Sequence, residues 1–446
     1  MQRALVLDKN KNPLMPCHPA RARQLLTRGK AAVFRQYPFT IILKERDGGD
    51  IQPITLKVDP GSKTTGIALV ADFKLGKCVI WAGELTHRGQ QIRDRLLSRR
   101  QIRRGRRSRK TRYRPARFLN RRRAEGCLAP SLQSRVENTL TWVGRLSRWS
   151  PINLLSMELV RFDTQLMQNA EISGVEYQQG ELAGYEVREY LLEKWGRECA
   201  YCHATDRPLE IEHITPKSRG GSNRVNNLTV ACHACNQRKG SQTATEFGYP
   251  NIQQQAKQPL KDAAAVNATR WALWRRMNAL GLPLEVGTGG RTKFNRVKQH
   301  YPKVHWIDAA CVGESGEKIY INPSQAPLQM KATGHQSRQM CRVDKYGFPR
   351  TSPKQGRVHY GFQTGDMVRA MVKKGVKRGT YIGRVSVRAK GSFNITTPTG
   401  TVQGISHRYC TPIHNSDGYF YEKGEAHSSA TTRVAVSPRQ NSWIRK

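Results

Sequence analysis

Apolar residues along this chain come in short runs, and their spacing separates strand-like from helical stretches. Ala4-Leu5-Val6-Leu7 predicts a strand and 8–12 a turn. Pro13-Leu14-Met15-Pro16 follows, then a basic helical pattern over 20–29 and a strand pair over 31–35 and 39–43. Together they predict a small α+β unit. Over 54–70 two β-rich runs flank Gly61-Ser62, which predicts a hairpin whose first strand ends on Asp59. Leu132, Val136, Leu140, Val143 and Leu146 recur at helical spacing and predict an amphipathic helix over 131–149. An apolar strand from Ile152 ends on Glu158. Helices are expected over 184–194 and over 263–280, the second anchored by Trp271 and Trp274. A strand and a basic turn are expected over 284–301. On a helix beginning at His305, that residue and Asp308 are three apart and share a face. Past about 326 the chain becomes a basic connector punctuated by Gly and Pro. Short alternating strands over 358–422 then fit a small SH3-like β-barrel.

Charge changes the picture. The chain has 446 residues and a formal net charge of +43, far beyond what solubility requires. That length allows about three domains, and the charge predicts a polyanionic partner, with nucleic acid favoured. A membrane-surface coat is the weaker reading, since no apolar run approaches the roughly 18 residues of a spanning helix. Residues 1–10 lack the pattern of a signal peptide. The scattered Cys17, Cys78, Cys127, Cys311, Cys341 and Cys410 predict free thiols in a reducing compartment. The cationic charge is densest over 88–123. Arg93, Arg99, Arg100, Arg103, Arg104, Arg106, Arg107 and Arg109 lie there, and Ile92, Leu96, Leu97 and Ile102 give a partial helical stripe. A charge run is usually a solvated face or a tail. This one is internal and rich in arginine, whose planar fork suits phosphate oxygens, so we expect a helix against RNA or an RNA–DNA duplex.

Candidate chemistry is clearest over 199–239. Cys199-Ala200-Tyr201-Cys202 and Cys232-His233-Ala234-Cys235 can close a tetrahedral, structural zinc site with no open position. Between and just after the knuckles lie Glu212-His213, Asn227 and Asn236, donors that suit a harder cation such as Mg²⁺, with His213 free to take a proton from water. The alternative is a zinc ribbon that only binds a partner. Taken together, the pattern resembles the HNH nuclease motif, the ββα-metal fold, over about 186–248. The resemblance implies His213 as general base, Glu212 and Asn236 as ligands of one Mg²⁺, and Asn227 as a brace of the loop or of His213. Family members often carry Asp where Glu212 stands.

Three further segments carry a second resemblance. Val58-Asp59-Pro60-Gly61, the strand ending on Glu158, and His305-Trp306-Ile307-Asp308-Ala309 resemble, in order, the three segments of the RuvC/RNase H-like fold. Read singly, Asp59 is commonly a turn residue, Glu158 a salt-bridge partner or a metal ligand, and His305 with Asp308 a weak signal. The resemblance implies that Asp59, Glu158 and Asp308 hold two Mg²⁺ ions, while His305 orients water or a metal-bound phosphate. The Pro13–Pro16 opening and the arginine-rich helix are similar to the N-terminal domain and bridge helix of IscB proteins, transposon-encoded RNA-guided nucleases related to the CRISPR type II effector nuclease.

The implied architecture is α/β and multidomain, with a split RuvC/RNase H-like domain. Its parts are a PLMP-type N-terminal α+β domain (1–50), RuvC segment I (51–86), an arginine-rich bridge helix (87–125), RuvC segment II (126–185), an inserted HNH domain (186–248), RuvC segment III (249–325), and a connector with a β-barrel that contacts the target-adjacent motif (326–446). The implied activity is double-strand cleavage of DNA, HNH cutting the guide-paired strand and RuvC the displaced one. The implied partners are a guide (omega) RNA and a duplex DNA target. A monomeric protein in a prokaryotic, cytoplasmic, nucleoid-associated ribonucleoprotein is expected. A guide-independent, homing-type HNH endonuclease and a non-catalytic RNA-binding protein are the alternatives.

Overall fold

The computed structural model describes residues 2–108, 127–160, 185–258, 263–334, 341–346, 348–352 and 356–426. Arg109 lies outside them. At the N-terminus, strands β1 (Ala4–Leu7), β2 (Pro13–Cys17), β3 (Ala31–Arg35) and β4 (Thr40–Leu43) form one sheet in the order β2-β1-β4-β3, with helix α1 (Pro19–Thr27) beside it. All of β1 is buried, which is why its run is wholly apolar.

An eight-stranded mixed sheet carries the centre of the molecule. Strands β5 (Ile54–Asp59), β6 (Thr64–Phe73) and β7 (Gly76–Thr86) form an antiparallel meander. Strand β8 (Ile152–Val160) lies parallel to β5, and β11 (Leu284–Thr288) parallel to β8. On the other flank, β12 (Ile319–Tyr320) and β13 (Leu328–Ala332) run parallel to β7, and β21 (Tyr419–Lys423) pairs antiparallel with β13. The central strands are covered on both faces, so their sequences are apolar almost throughout. Ile54, Leu56, Val58, Ile67 and Leu69 point to one core, filled by Trp142, Val143 and Leu146 of helix α3 (Pro130–Trp149) and by Leu273 and Met277 of α7 (Ala263–Asn278). Ala68, Val70, Val79 and Ala82 face the other, under Trp306, Ile307 and Ala310 of α9 (His305–Ala310). Between β7 and α3 runs α2 (Gly89–Arg107).

Three sequence-based expectations change here. The expected anchor Trp271 is 44% exposed, and Arg270 is buried beside it at 3%. The 284–301 stretch is a strand followed by helix α8 (Gly289–Lys298), because the Thr288 side chain accepts from the Arg291 N–H and caps a helix where a turn was expected. Segments 328–332 and 419–423, expected in the C-terminal unit, complete the edge of the large sheet.

Residues 185–257 build a separate small core. Helix α4 (Tyr185–Lys194), strands β9 (Leu209–His213) and β10 (Leu228–Cys232), and helices α5 (His233–Lys239) and α6 (Asn251–Lys257) pack Leu191, Tyr201, Leu209, Val230 and Ile252 together. At the C-terminus, β16 (Met367–Val372), β17 (Gly379–Ser386), β18 (Ser392–Thr397), β19 (Gly400–Ser406) and β20 (Cys410–His414) form an antiparallel sheet in the order β19-β18-β17-β16-β20. A short hairpin of β14 (Val358–His359) and β15 (Phe362–Gln363) joins its core through Phe362. Among the described residues, no helix is long and apolar enough to cross a membrane.

Candidate functional site

One end of the large sheet gathers three acids from distant parts of the chain. Asp59 ends β5, Glu158 lies near the end of parallel β8, and Asp308 sits on α9. Gly66 pairs with Asp59 across β5 and β6. A Cβ at Gly66 would lie 1.9 Å from the His305 carbonyl oxygen, so only glycine lets the start of α9 lie over the sheet here. Arg270 Nη2 lies 2.6 Å from Glu158 Oε1 and 3.7 Å from Asp59 Oδ1, and it also donates to the Pro60 carbonyl at 3.2 Å. Its Nη1 is buried without a hydrogen-bond partner among the described residues. Arg296 Nε lies 2.7 Å from Asp308 Oδ1. Burial pushes the Asp308 carboxyl up to about 6; Arg296 opposes this and the Glu158 charge adds to it. His305 is exposed at the first turn of α9. It lines a cleft of about 570 Å³ with Asp308, Lys303, Glu84, Gln329 and Lys423.

A buried lysine ties these segments together. Lys57, two residues before Asp59 on the same face of β5, is fully buried. Its Nζ donates to the Val312 carbonyl at 2.7 Å and to Ser315 Oγ at 2.5 Å, and Ser315 Oγ donates to Glu285 Oε2. The strand carrying Asp59, the loop after the helix carrying Asp308, and β11 are thus joined by one ammonium. Burial lowers Lys57 to about 8, with Glu285 opposing.

In the small unit, the sulfur atoms of Cys199, Cys202, Cys232 and Cys235 all lie within 4.8 Å of one another, with Cys202 and Cys232 3.7 Å apart. Zn–S bonds of about 2.3 Å place tetrahedral sulfurs roughly 3.8 Å apart, so the cluster fits zinc. Burial works against ionising Cys199, but backbone N–H groups of Cys202, Cys232 and Tyr201 outweigh it and hold that thiol at about 7.

His213 ends β9, partly exposed, with Nε2 2.9 Å from Asn223 Oδ1. Asn227 braces the following loop. Its Nδ2 donates to the carbonyls of Thr215 and Ser222, and its Oδ1 accepts from the Thr215 N–H. Glu212 and Asn236, expected to act together, hold different partners. Lys239 Nζ lies 2.5 Å from Glu212 Oε1, the Tyr201 hydroxyl donates to Oε2 at 2.6 Å, and Lys239 also donates to the His213 carbonyl at 2.9 Å. Asn236 Nδ2 donates instead to Glu210 Oε2, whose other oxygen lies 2.9 Å from His233 Nδ1. Residues 210 and 212 share a strand face, and residues 236 and 239 share a helix face. The acids and their partners therefore meet in order: Glu210 with Asn236, Glu212 with Lys239. A cation held jointly by Glu212 and Asn236 requires Lys239 to give up its ion pair. Lys239→Met leaves a buried carboxylate without its cation and should destabilise this unit by roughly 3–5 kcal/mol. Adding Glu212→Leu should recover much of that loss. Thermal unfolding of the single and double variants checks both expectations.

On the arginine-rich helix α2 the cationic side chains face solvent. Arg93, Arg99, Arg100, Arg103, Arg104, Arg106 and Arg107 are all exposed, as are Leu96, Leu97 and Ile102. Arg106 lies over the Phe348 ring at 5.6 Å.

Several of these groups escaped the sequence reading: Arg270, Arg296, Lys57, Lys239, Asn223 and Glu210. Strand alternation alone marks Glu210 as an equal of Glu212. For the others no local signal exists.

Comparison with known proteins adds two matches. Residues 4–180 match a family described as RRXRR protein, and Arg103-Arg104-Gly105-Arg106-Arg107 spell that pattern. Residues 199–250 match the HNH endonuclease family. No curated protein matches. Among solved structures, the chain is similar to the Type II-C Cas9 enzyme from Actinomyces naeslundii at 19% identity, over 41% of this chain and 27% of that one, with a TM-score of 0.17. It is similar to Streptococcus thermophilus Cas9 in complex with the AGAA PAM at 12% identity, over 58% and 32%, with a TM-score of 0.19. The chain thus spans a third or less of these proteins, and superpositions this loose carry no structural weight. What the matches establish is an HNH endonuclease domain at 199–250, set behind an RRXRR segment in the same chain.

Proposed function

We propose that this protein is an RNA-guided DNA endonuclease of the IscB type, with two hydrolytic centres that cut opposite strands. The observation that carries it is the gathering of Asp59, Glu158 and Asp308 at one end of a mixed sheet, in a chain that also holds an HNH endonuclease domain. The order β7-β6-β5-β8-β11, antiparallel through β5 and parallel after it, supports a RuvC/RNase H-like reading of that sheet.

The donor set fits Mg²⁺. It is all oxygen, and three carboxylates against Arg270 and Arg296 leave negative charge for a cation to balance. Asp59, Glu158 and Asp308 would hold two such ions, and the chemistry these would supply is activation of water and stabilisation of the leaving oxygen in phosphodiester hydrolysis. His305, exposed beside Asp308, orients the phosphate, and Lys303 and Lys423 draw the strand into the cleft. In the HNH centre His213 takes the proton from water. If Nε2–H donates to Asn223, the basic lone pair is on Nδ1. Zinc held by the four cysteines would be structural.

Guide RNA binding rests on the exposed arginines of α2, whose row of guanidinium groups suits the phosphates of a folded RNA. The C-terminal sheet, with exposed Arg369, Lys373, Lys374 and Lys377, would contact the DNA beside the target. HNH would then cut the guide-paired strand and RuvC the displaced one. Purifying the protein from its source cells and sequencing any bound RNA tests the reading. A discrete RNA whose variable end directs cleavage of a matching duplex supports it. Cleavage of duplex DNA by RNA-free protein at a fixed sequence would favour a homing-type enzyme.

A pH effect follows from Asp308. Below about pH 6 a proton competes for its carboxylate, so divalent binding at this cluster should weaken by up to about tenfold per pH unit. The same raised value means that the folded state takes up this proton before the unfolded chain does. Asp308's own contribution to metal-free stability therefore falls as pH rises from about 4 to about 6. Calorimetric titration with Mn²⁺ at pH values either side of 6 checks the first effect. Equal affinity at both would remove Asp308 from the ligand set.

A further inference from the structure

The hairpin of β14 and β15 turns through Tyr360 and Gly361, with φ of +53° and +80°. A two-residue turn with both φ positive is the type I′ geometry, which favours Asn, Asp or Gly at its first position. A bulky aromatic there is strained. The side chain it displays is nevertheless well seated. The Tyr360 ring stacks on His407, centroids 3.9 Å apart and planes 16° from parallel. His407 is fixed in turn: its backbone N–H donates to the Gly391 carbonyl at 2.9 Å, its Nδ1 lies 3.3 Å from the same oxygen, and its ring packs 6.2 Å from buried Phe393. Gly391 makes room for the pair, since a Cβ there would lie 2.7 Å from His407 Nδ1 and 3.0 Å from Tyr360 Cε2. Tyr360 remains 54% exposed. Among the described residues His407 is the one ring stacked on it, and more than half of the side chain is left to solvent. Exposed Arg388 and Lys390 lie in the turn that closes at Gly391, and exposed Arg408 follows His407.

We propose that Tyr360 and His407 form a stacking platform for an unpaired nucleobase, with Arg388, Lys390 and Arg408 taking the flanking phosphates. Bases inside a duplex already stack on their neighbours, so an open aromatic face selects a base that is single-stranded or bulged out. An acidic peptide would use the cations but has no use for the ring face. The platform goes beyond the nuclease reading and needs neither cleavage centre.

The test is photo-crosslinking of the full chain to single-stranded oligonucleotides carrying iodouracil, in ribose and deoxyribose forms, at raised salt. Salt screens phosphate contacts across the rest of this basic surface and leaves stacking largely intact. The cross-linked peptides are identified by mass spectrometry. Cross-links at Tyr360 or His407 are expected, and the sugar that gives more of them identifies the nucleic acid served. Tyr360→Asn should reduce them at least roughly fivefold, the lower end of base–aromatic stacking. Its melting temperature should stay equal or rise, because Asn suits the positive φ. Tyr360→Phe should keep the cross-link. Cross-links confined to other segments, or unchanged in Tyr360→Asn, overturn the proposal. So does a Tyr360→Asn variant that loses stability while its cross-linking is unaltered, which would mark Tyr360 as purely structural. Cleavage is not the readout, so a negative result leaves the nuclease reading standing.

Discussion

Asp59→Ala should yield a protein that nicks duplex DNA in one strand and leaves the other intact. Asp59 ends β5 opposite Gly66, with its side chain only partly buried, so truncation opens no core cavity. Arg270 keeps its closer partner, Glu158, at 2.6 Å. Lys57 still ties β5 to the loop after α9. The fold should therefore survive while one of three carboxylates is lost. In a serine-protease triad, loss of one cooperating member lowers turnover by on the order of 10⁴-fold or more, and a loss of similar size is expected here. Supercoiled plasmid should be converted to the nicked circle and not to the linear form. Linear product at the unaltered rate would remove Asp59 from the cutting machinery.

His213→Ala should give the complementary nickase. His213 is partly exposed, and its ring has one hydrogen-bonding partner among the described residues, Asn223. Its loss should cost little stability but roughly 10²–10⁴ in the rate of the cut it serves, the usual contribution of a positioned general base. Strand-specific end labels distinguish the two nicks. If both variants spare the same strand, the two-centre reading fails. With both substitutions combined, DNA should still bind and neither strand should be cut.

The backbone positions of the two strand acids were legible because each closes an apolar run: Asp59 ends β5, while β8 continues two residues past Glu158, to Val160, where the strand was expected to end on the acid. Ile54–Asp59 and Ile152–Val160 are strands covered on both faces over most of their length, so the positions before each acid are mainly apolar, with Lys57 and Ser156 buried and polar, Thr55 half-buried and Asn153 exposed. The cysteine clustering was legible from spacing. The partners of the acids were not. Arg270 reaches Glu158 across 112 positions, and no periodicity marks such a pairing. Helical spacing and hydrophobicity favour Trp271 as the inward residue on α7. The structure buries Arg270 because two carboxylates draw it in, and leaves the indole half-exposed. Lys239 and Lys57 invert the same rule, each buried around a charge or carbonyl from elsewhere in the chain. The edge pairing of 328–332 with 419–423 joins two segments that each read as connector or barrel until they meet.

Tyr201 belongs to the first cysteine knuckle, and its hydroxyl holds the carboxylate that Lys239 shares with the His213 carbonyl. Whatever loosens the thiolates, a chelator or an oxidant, is thus transmitted in three hydrogen-bonded steps to the backbone that aims the imidazole. On the reading proposed above, the redox state of four thiols would set whether a target is broken through or merely nicked.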